Sequence, residues 1–371
     1  MELNKYKLGE LLTIKNGKDH KGLSDGIYPV YGSGGIMRYV DRYLYDKPSV
    51  LLPRKGSLEN IQYCDKPFWT VDTLYYTEVN NDLASPYYLY RYLNLLDLCL
   101  LNTGTGVPSM TFDSYYNIEI MLPCISVQRE IASILYNYDR KIELNKQIND
   151  NLEAMAKLLY DYWFVQFNFP NGEGKPYKAS GGKMVWNEKL KREIPEGWYS
   201  LPISNVLDKY PTTKRYETKE YLSVGKYPII DQGDSYIVGF TNEDDNLLTR
   251  HPAVLFGDHS TKVKFLDFDF ARGADGTQIL YSSNEAVSQY YLYLSVCALQ
   301  IPNPGYSRHF KYLKELPIII PRLEIAYRFA NIVKPLFEDW TRNIFNNIEL
   351  TKQRDELLPL LMNGQASVTL A

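Results

Sequence analysis

Residues 87–90 read Tyr-Tyr-Leu-Tyr, and residues 290–293 read Tyr-Tyr-Leu-Tyr again, 203 positions later. Three further landmarks recur in the same order. Tyr28-Pro29 returns as Tyr227-Pro228, the Pro-x-x-Leu of Pro48 to Leu51 as that of Pro252 to Leu255, and the apolar run Ile118 to Pro123 as Leu316 to Pro321, all at offsets between 198 and 204. A single such pair is compatible with chance, whereas four in order indicate an internal duplication. Its period is too long for a solenoid repeat and suits two copies of a domain.

Within each copy a mixed front half leads into a long helix. Short β-rich runs at 49–53 and 74–79, and at 253–256 and 262–265, alternate with Gly and Asn turns, and one helix surrounds each Tyr-Tyr-Leu-Tyr run. The front halves therefore read as α+β domains. After Pro123, apolar residues Ile131, Leu135, Tyr138, Ile142, Leu152, Met155, Leu159 and Trp163 recur at spacings built from threes and fours. After Pro321, Phe329, Val333, Leu336, Trp340, Ile344, Leu350, Leu357 and Leu361 do the same. A proline before each stripe and a glycine at or beyond its end, Gly172 and Gly364, punctuate these segments as helices. Asn145 and Asn347 are the polar positions expected to set register where the two helices pair. The expected boundaries are a first domain at 1–124, a helix at 125–170, a Gly, Lys, Ser and Pro-containing linker at 171–193, a second domain at 194–321, and a second helix with tail at 322–371.

Composition narrows the class. The chain has 371 residues, of which 45% are hydrophobic and 14% aromatic, enough for several well-buried cores. Apolar runs such as Leu93 to Leu101 fall well short of the roughly 20 residues of a membrane span, and no leader precedes them, so a cytoplasmic protein is expected. The four cysteines are widely spaced and read as small core residues. A formal net charge of −3 excludes a uniformly basic nucleic-acid binder, so any DNA footprint must be local. Between Lys5 and Lys66, 11 Lys or Arg against 7 Asp or Glu supply one candidate region.

Catalytic motifs fit poorly. Ser85-Pro86-Tyr87-Tyr88 and Asn303-Pro304-Gly305-Tyr306 approach the Asp/Asn/Ser-Pro-Pro-aromatic loop of an amino-methyltransferase but lack its second proline, and read instead as a helix start and a turn. Gly32-Ser33-Gly34-Gly35 and Gly104-Thr105-Gly106 lack the context of a phosphate loop and read as turns. Glu217-Thr218-Lys219 is too short a match for a Mg²⁺ nuclease, and the four histidines show no metal spacing, so no metal site is expected. His251 and His259 flank a strand, positioned for DNA contact or for solvent.

Several segments in order resemble the specificity subunits of type I restriction-modification systems. These are Thr103 to Met110, Ile120-Met121-Leu122-Pro123 with Gln128-Arg129-Glu130-Ile131, Trp163-Phe164-Val165, Phe167-Asn168-Phe169, Gly172 to Lys183, Ile194-Pro195-Glu196-Gly197-Trp198 and Leu357 to Gln365. The resemblance implies two target-recognition domains, each reading half of a split DNA sequence, separated and clamped by two antiparallel helices. It implies that two modification subunits dock on the helical region with S-adenosylmethionine and the adenine-methylating site. Restriction subunits would add ATP and Mg-dependent translocation and cleavage, so this chain would carry no cofactor and no catalytic residue. After Pro321 the second copy reads Leu323-Glu324-Ile325-Ala326, without the glutamine found at 128 in the first.

Within that frame Arg54-Lys55-Gly56 stands opposite Asp258-His259-Ser260, chemistries suited to different base edges. The loops 104–110 and 303–311 combine small residues with hydroxyls or cations suited to phosphate. The expected DNA-facing residues are Arg38, Arg54, Lys55, Thr103, Thr105, Ser109, His251, His259, Lys262, Arg308, His309 and Lys311. The expected helix-pairing and partner-docking residues are Tyr138, Ile142, Leu152, Leu159, Trp163, Leu336, Trp340, Leu350 and Leu357. Competing readings are a stand-alone methyltransferase or nuclease with fused recognition domains, and a coiled-coil scaffold that binds only protein.

Overall fold

The computed structural model describes residues 2–102, 106–208, 213–302 and 308–366. It divides into two compact units, Met1–Leu144 with Asn347–Ala371, and Asn145–Asn346. The first unit runs β1 (Asn4–Lys7), α1 (Leu8–Leu11), β2 (Leu12–Lys15), β3 (Asp25–Gly32), β4 (Gly35–Val40), β5 (Ser49–Pro53), β6 (Gln62–Cys64), β7 (Trp69–Thr70), β8 (Leu74–Val79), α2 (Pro86–Leu93), α3 (Phe112–Tyr116), β9 (Glu119–Leu122) and the first part of α4 (Ile125–Tyr160). The second unit begins with the rest of α4 and a π-helical turn, Asp161–Val165. It continues through β10 (Met184–Asn187), β11 (Arg192–Pro195), β12 (Tyr199–Pro202), β13 (Tyr227–Ile230), β14 (Gly239–Thr241), β15 (Ala253–Gly257), β16 (Val263–Leu266), β17 (Ala271–Arg272), β18 (Thr277–Leu280), α5 (Gln289–Ala298), α6 (Phe310–Glu315) and β19 (Pro317–Ile320) into α7 (Leu323–Met362).

Both units use one sheet plan. In the first, β4-β3-β7 form a three-stranded sheet, β2-β8-β5-β6 an antiparallel sheet and β1-β9 a ribbon. In the second, β14-β13-β17, β16-β15-β18 and β12-β19 repeat these pairings, except that no strand of the sheet corresponds to β2 among the described residues. Even the exception is shared: β7 runs parallel to β3 and β17 parallel to β13. Their registers place Tyr31 opposite Thr70 and Ile230 opposite Arg272, so Thr70 and Arg272 hold one topological position. The central strands β5 and β15 are buried at every residue, as unbroken apolar runs require.

The Tyr-Tyr-Leu-Tyr runs are helical because each follows a serine cap. Ser85 Oγ accepts from the Tyr88 amide at 3.5 Å with Pro86 in the first turn, and Ser288 Oγ accepts from the Tyr291 amide at 3.2 Å. Tyr87, Tyr88 and Leu89, and all of Tyr290 to Tyr293, are buried between sheet and long helix. In the first unit Ile131 and Leu135 of α4 share a core with Leu358, Leu361 and Met362 of α7. In the second, Ala156 and Trp163 share one with Phe329, Val333 and Phe337. Within each unit, then, the beginning of one long helix meets the end of the other, an antiparallel arrangement.

Four expectations are corrected. Asn145 and Asn347 are only half-buried; Asn347 does reach across the helix pair, its Nδ2 donating to the Ile142 carbonyl at 3.1 Å, but the buried seam asparagine is Asn149, seven residues from both Ile142 and Ala156. Asn149 Nδ2 donates to the Trp340 carbonyl at 3.0 Å and its Oδ1 accepts from Asn343 at 2.9 Å. The α-helix stops at Tyr160 instead of 170, because the chain widens to a π turn that buries Trp163 and Phe164 together. Residues 171–193 are not a free linker: Asn171 Oδ1 accepts from the Glu173 and Lys175 amides, both at 2.9 Å, Tyr177 stacks on Phe169 at 4.7 Å, and β10 pairs with β11. Of the cysteines only Cys64 is buried and Cys297 half-buried, whereas Cys99, in the short 3-10 helix Leu98–Leu101, and Cys124, just before α4, are exposed. Among the described residues no helix is long and apolar enough to cross a membrane.

Candidate nucleic-acid interface

In the first unit the segment after β5 meets the β3–β4 turn and the segments 71–73 and 106–109. Asn60 Nδ2 donates to the Ser33 carbonyl at 2.6 Å, Gln62 Nε2 to Gly32 at 2.9 Å, and the Gly56 amide to Pro108 at 3.0 Å. Gly56 has φ of +94°, a left-handed conformation that favours glycine. These contacts border an open cleft of about 760 Å³ lined by Asp19 to Lys21, Gly32 to Met37 and Val71 to Thr73. Arg54 is half-buried, its amide donating to Thr73 at 2.9 Å, its Nη1 to the Asp72 carbonyl at 3.3 Å, and its guanidinium 5.9 Å from the Tyr75 ring centre. Burial raises the Tyr75 hydroxyl's pKa, and the Arg54 charge opposes that shift. Lys55 is exposed and bridges by backbone to Ser109. Arg54, Lys55 and Ser109 are thus brought together. Arg38 is not with them: it lies on β4, bonded to Asp25 at 2.8 Å and to the Leu23 carbonyl at 3.1 Å. Thr103 and Thr105 lie outside the described residues.

The second unit builds the equivalent platform from different side chains. Gln232, just beyond β13, joins three loops: Nε2 donates to the Asp275 carbonyl at 2.7 Å, Oε1 accepts from the His259 amide at 2.9 Å, and its carbonyl accepts from Ser260 Oγ at 2.7 Å. Gly276, at φ +83°, allows this closure, since a Cβ there would lie 2.4 Å from Gln232 Nε2 and 2.7 Å from His259 Cδ2. His259, Arg308 and Lys311 are exposed, and Lys262 is exposed but paired with Asp234 at 2.6 Å. Arg215 forms an ion pair with Asp275 beside the same platform.

Three expected contacts are engaged by neighbouring groups of the chain. Asp258 is buried and its Oδ1 accepts from the Phe310 amide at 2.8 Å, so it caps α6 instead of meeting a base. His309 is 3% exposed, its Nδ1 3.0 Å from the Asp258 carbonyl. His251 lies beyond the opposite end of β15 from His259, beside Asp267 at 3.0 Å and Asp269 at 3.7 Å, carboxylates that repel phosphate. Gln232, Arg215 and Gly276 were missed. The one available signal was the recurrence itself, whose offset of 199 from Tyr28 to Tyr227 sets Gln232 opposite Ser33 of the first turn.

The expected docking residues are largely engaged by the chain itself. Ile142 and Trp163 are buried, and Tyr138, Leu152, Leu159, Leu336, Trp340, Leu350 and Leu357 are half-buried. A second stripe, Ile148, Met155, Leu158, Tyr162 and Val165, is exposed on α4 and the turn that follows it. It repeats at the same heptad spacing, so periodicity alone does not separate the buried face from the exposed one. Among the described residues no group of three or more His, Cys, Asp or Glu is placed to hold a metal.

The family model described as type I restriction modification DNA specificity domain matches residues 1–154 and 195–350. The chain is 24% identical over 351 residues to the specificity subunit of the type I restriction enzyme MjaIX of Methanocaldococcus jannaschii, covering 88% of this chain and 79% of that one. It is 25% identical over 340 residues to the HindI specificity subunit of Haemophilus influenzae, covering 70% and 71%. The fold matches the crystal structure of a type I restriction-modification S subunit from M. genitalium, with a TM-score of 0.65 at 16% identity over 100% of this chain and 97% of the other. With the family model spanning both repeats, the chain belongs to the type I restriction modification DNA specificity family.

Proposed function

We propose that this chain is the non-catalytic specificity subunit of a cytoplasmic type I restriction-modification complex and reads a bipartite, asymmetric DNA target. The observation that carries the reading is one loop platform built twice in the same topology from different chemistry. Arg54 and Lys55 suit the O6/N7 edge of guanine, whereas His259, Lys262 and Arg308 offer a different donor set. The recognition domains are residues 1–124 and 194–321. Modification subunits, which bring S-adenosylmethionine, dock on the exposed α4 stripe, and restriction subunits bring ATP and Mg. The test is to map adenine methylation made by this chain with its modification subunits. A split motif with unlike halves is expected, and a continuous palindrome rejects the reading. Methyl transfer from labelled S-adenosylmethionine by the purified chain alone would establish the stand-alone methyltransferase instead.

A further inference from the structure

Arg272 is a buried charge of the second unit without a counter-ion among the described residues. It is 6% exposed, and its buried Nε has no hydrogen-bond partner. No ion pair engages it among the described residues, because the carboxylate beside it, Asp275, is held by Arg215. Burial first, and then the neighbouring Arg215 charge, lower the Arg272 pKa, with Asp275 opposing. Two guanidinium groups therefore lie near one carboxylate, which pairs with Arg215 alone among the described residues. An unpaired buried guanidinium destabilises a fold, and replacement by an apolar side chain of similar volume commonly stabilises it. The residue sits where β17 enters the 273–276 loop, whose Asp275 and Gly276 pack against Gln232 and His259. Thr70, at the equivalent register of the first unit, is also buried with an unpartnered hydroxyl.

We propose that Arg272 and Arg215 together hold one oxyanion, a backbone phosphodiester of DNA, at the base of the 273–276 loop. The assignment rests on the DNA-reading function above. The anion supplies the charge that Asp275 cannot give to both arginines, and releases Arg215 from that carboxylate. Arg215, with its side chain 47% exposed, is the arm that meets the phosphate first. The contact grips the backbone and carries no sequence information.

The experiment measures target-DNA affinity against salt for the full chain with its modification subunits, together with the thermal unfolding of the chain. Arg272→Met should raise Tm by about 2 to 4 °C. It should also flatten the slope of log K against log salt by about 0.9, weakening all half-sequence variants alike. Arg215→Ala should flatten the slope equally, and Asp275→Asn should strengthen binding; these two exposed-site variants keep the test open if Arg272→Met does not fold. Thr70→Val should leave the slope unchanged. A lower Tm with normal DNA binding in Arg272→Met would make Arg272 a structural residue, and a loss confined to one base pair would make it a base reader. Either result overturns the proposal. So does a free-anion site, seen as stabilisation of wild type by inorganic phosphate that Arg272→Met lacks, with the DNA slope unchanged. Wild type that binds no DNA would remove the parent reading as well, whereas normal wild-type binding with an unaltered Arg272→Met removes this assignment alone.

Discussion

Arg354, near the end of α7, donates from Nη1 to Asp139 Oδ1 of α4 at 2.8 Å, and Arg91 of α2 reaches the other oxygen of the same carboxylate. Tyr87 donates its hydroxyl there too. One aspartate thus compensates two guanidinium groups whose side chains are only 8% and 19% exposed. Asp139→Ala should cost about 3 kcal/mol, because it leaves the buried Arg91 without a carboxylate, while Arg354 keeps Asp355 at 2.8 Å. Urea unfolding measures this, and an unchanged midpoint would show that the arginines find other acceptors.

Replacing Arg54 and Lys55 together by Ala should weaken DNA binding by about 1 to 3 kcal/mol for each base edge that the two side chains read. The same change at Lys141 and Lys146, exposed on α4, should have little effect. Fluorescence anisotropy on the target sequence compares the two variants. Equal weakening would place the DNA surface elsewhere. Because Arg54 also packs near Tyr75, the unfolding of the double variant is measured alongside.

Trp163 lies 5.6 Å from Phe329, ring centre to centre, and is 3% exposed, so Trp163→Ala should cost about 3 to 5 kcal/mol by opening a cavity. Trp340 is half-buried and meets Tyr236 edge-on at 5.1 Å, so its removal should cost less. Equal costs would mean that the half-exposed ring is as tightly held as the buried one. Calorimetry of both variants decides this.

Met155→Glu with Leu158→Glu alters the exposed α4 stripe without touching a core. Thermal stability should stay within about 0.5 kcal/mol of wild type, while assembly with modification subunits is abolished. Size-exclusion chromatography of the mixed subunits gives the result. Assembly at wild-type levels would exclude this stripe as the docking face.

The duplication, the α+β front halves, the serine-capped helices and the two long amphipathic helices were legible in the chain, because each follows from local chemistry or from recurrence. Caps act within four residues, and helical periodicity repeats every seven. Tertiary structure alone decided which heptad face is buried, since residues at both spacings are apolar and only the opposing core distinguishes Ile142 and Trp163 from Ile148 and Met155. It also decided which polar loop residues remain available. Asp258 and His309, 51 positions apart, satisfy each other's segment, and Gln232 joins His259 to Asp275. Such contacts depend on strand order and on the parallel β13–β17 pairing, which bring distant loops to one edge. A linear pattern encodes the face of each element, whereas burial of a charge such as Arg272 arises only when several elements close around it.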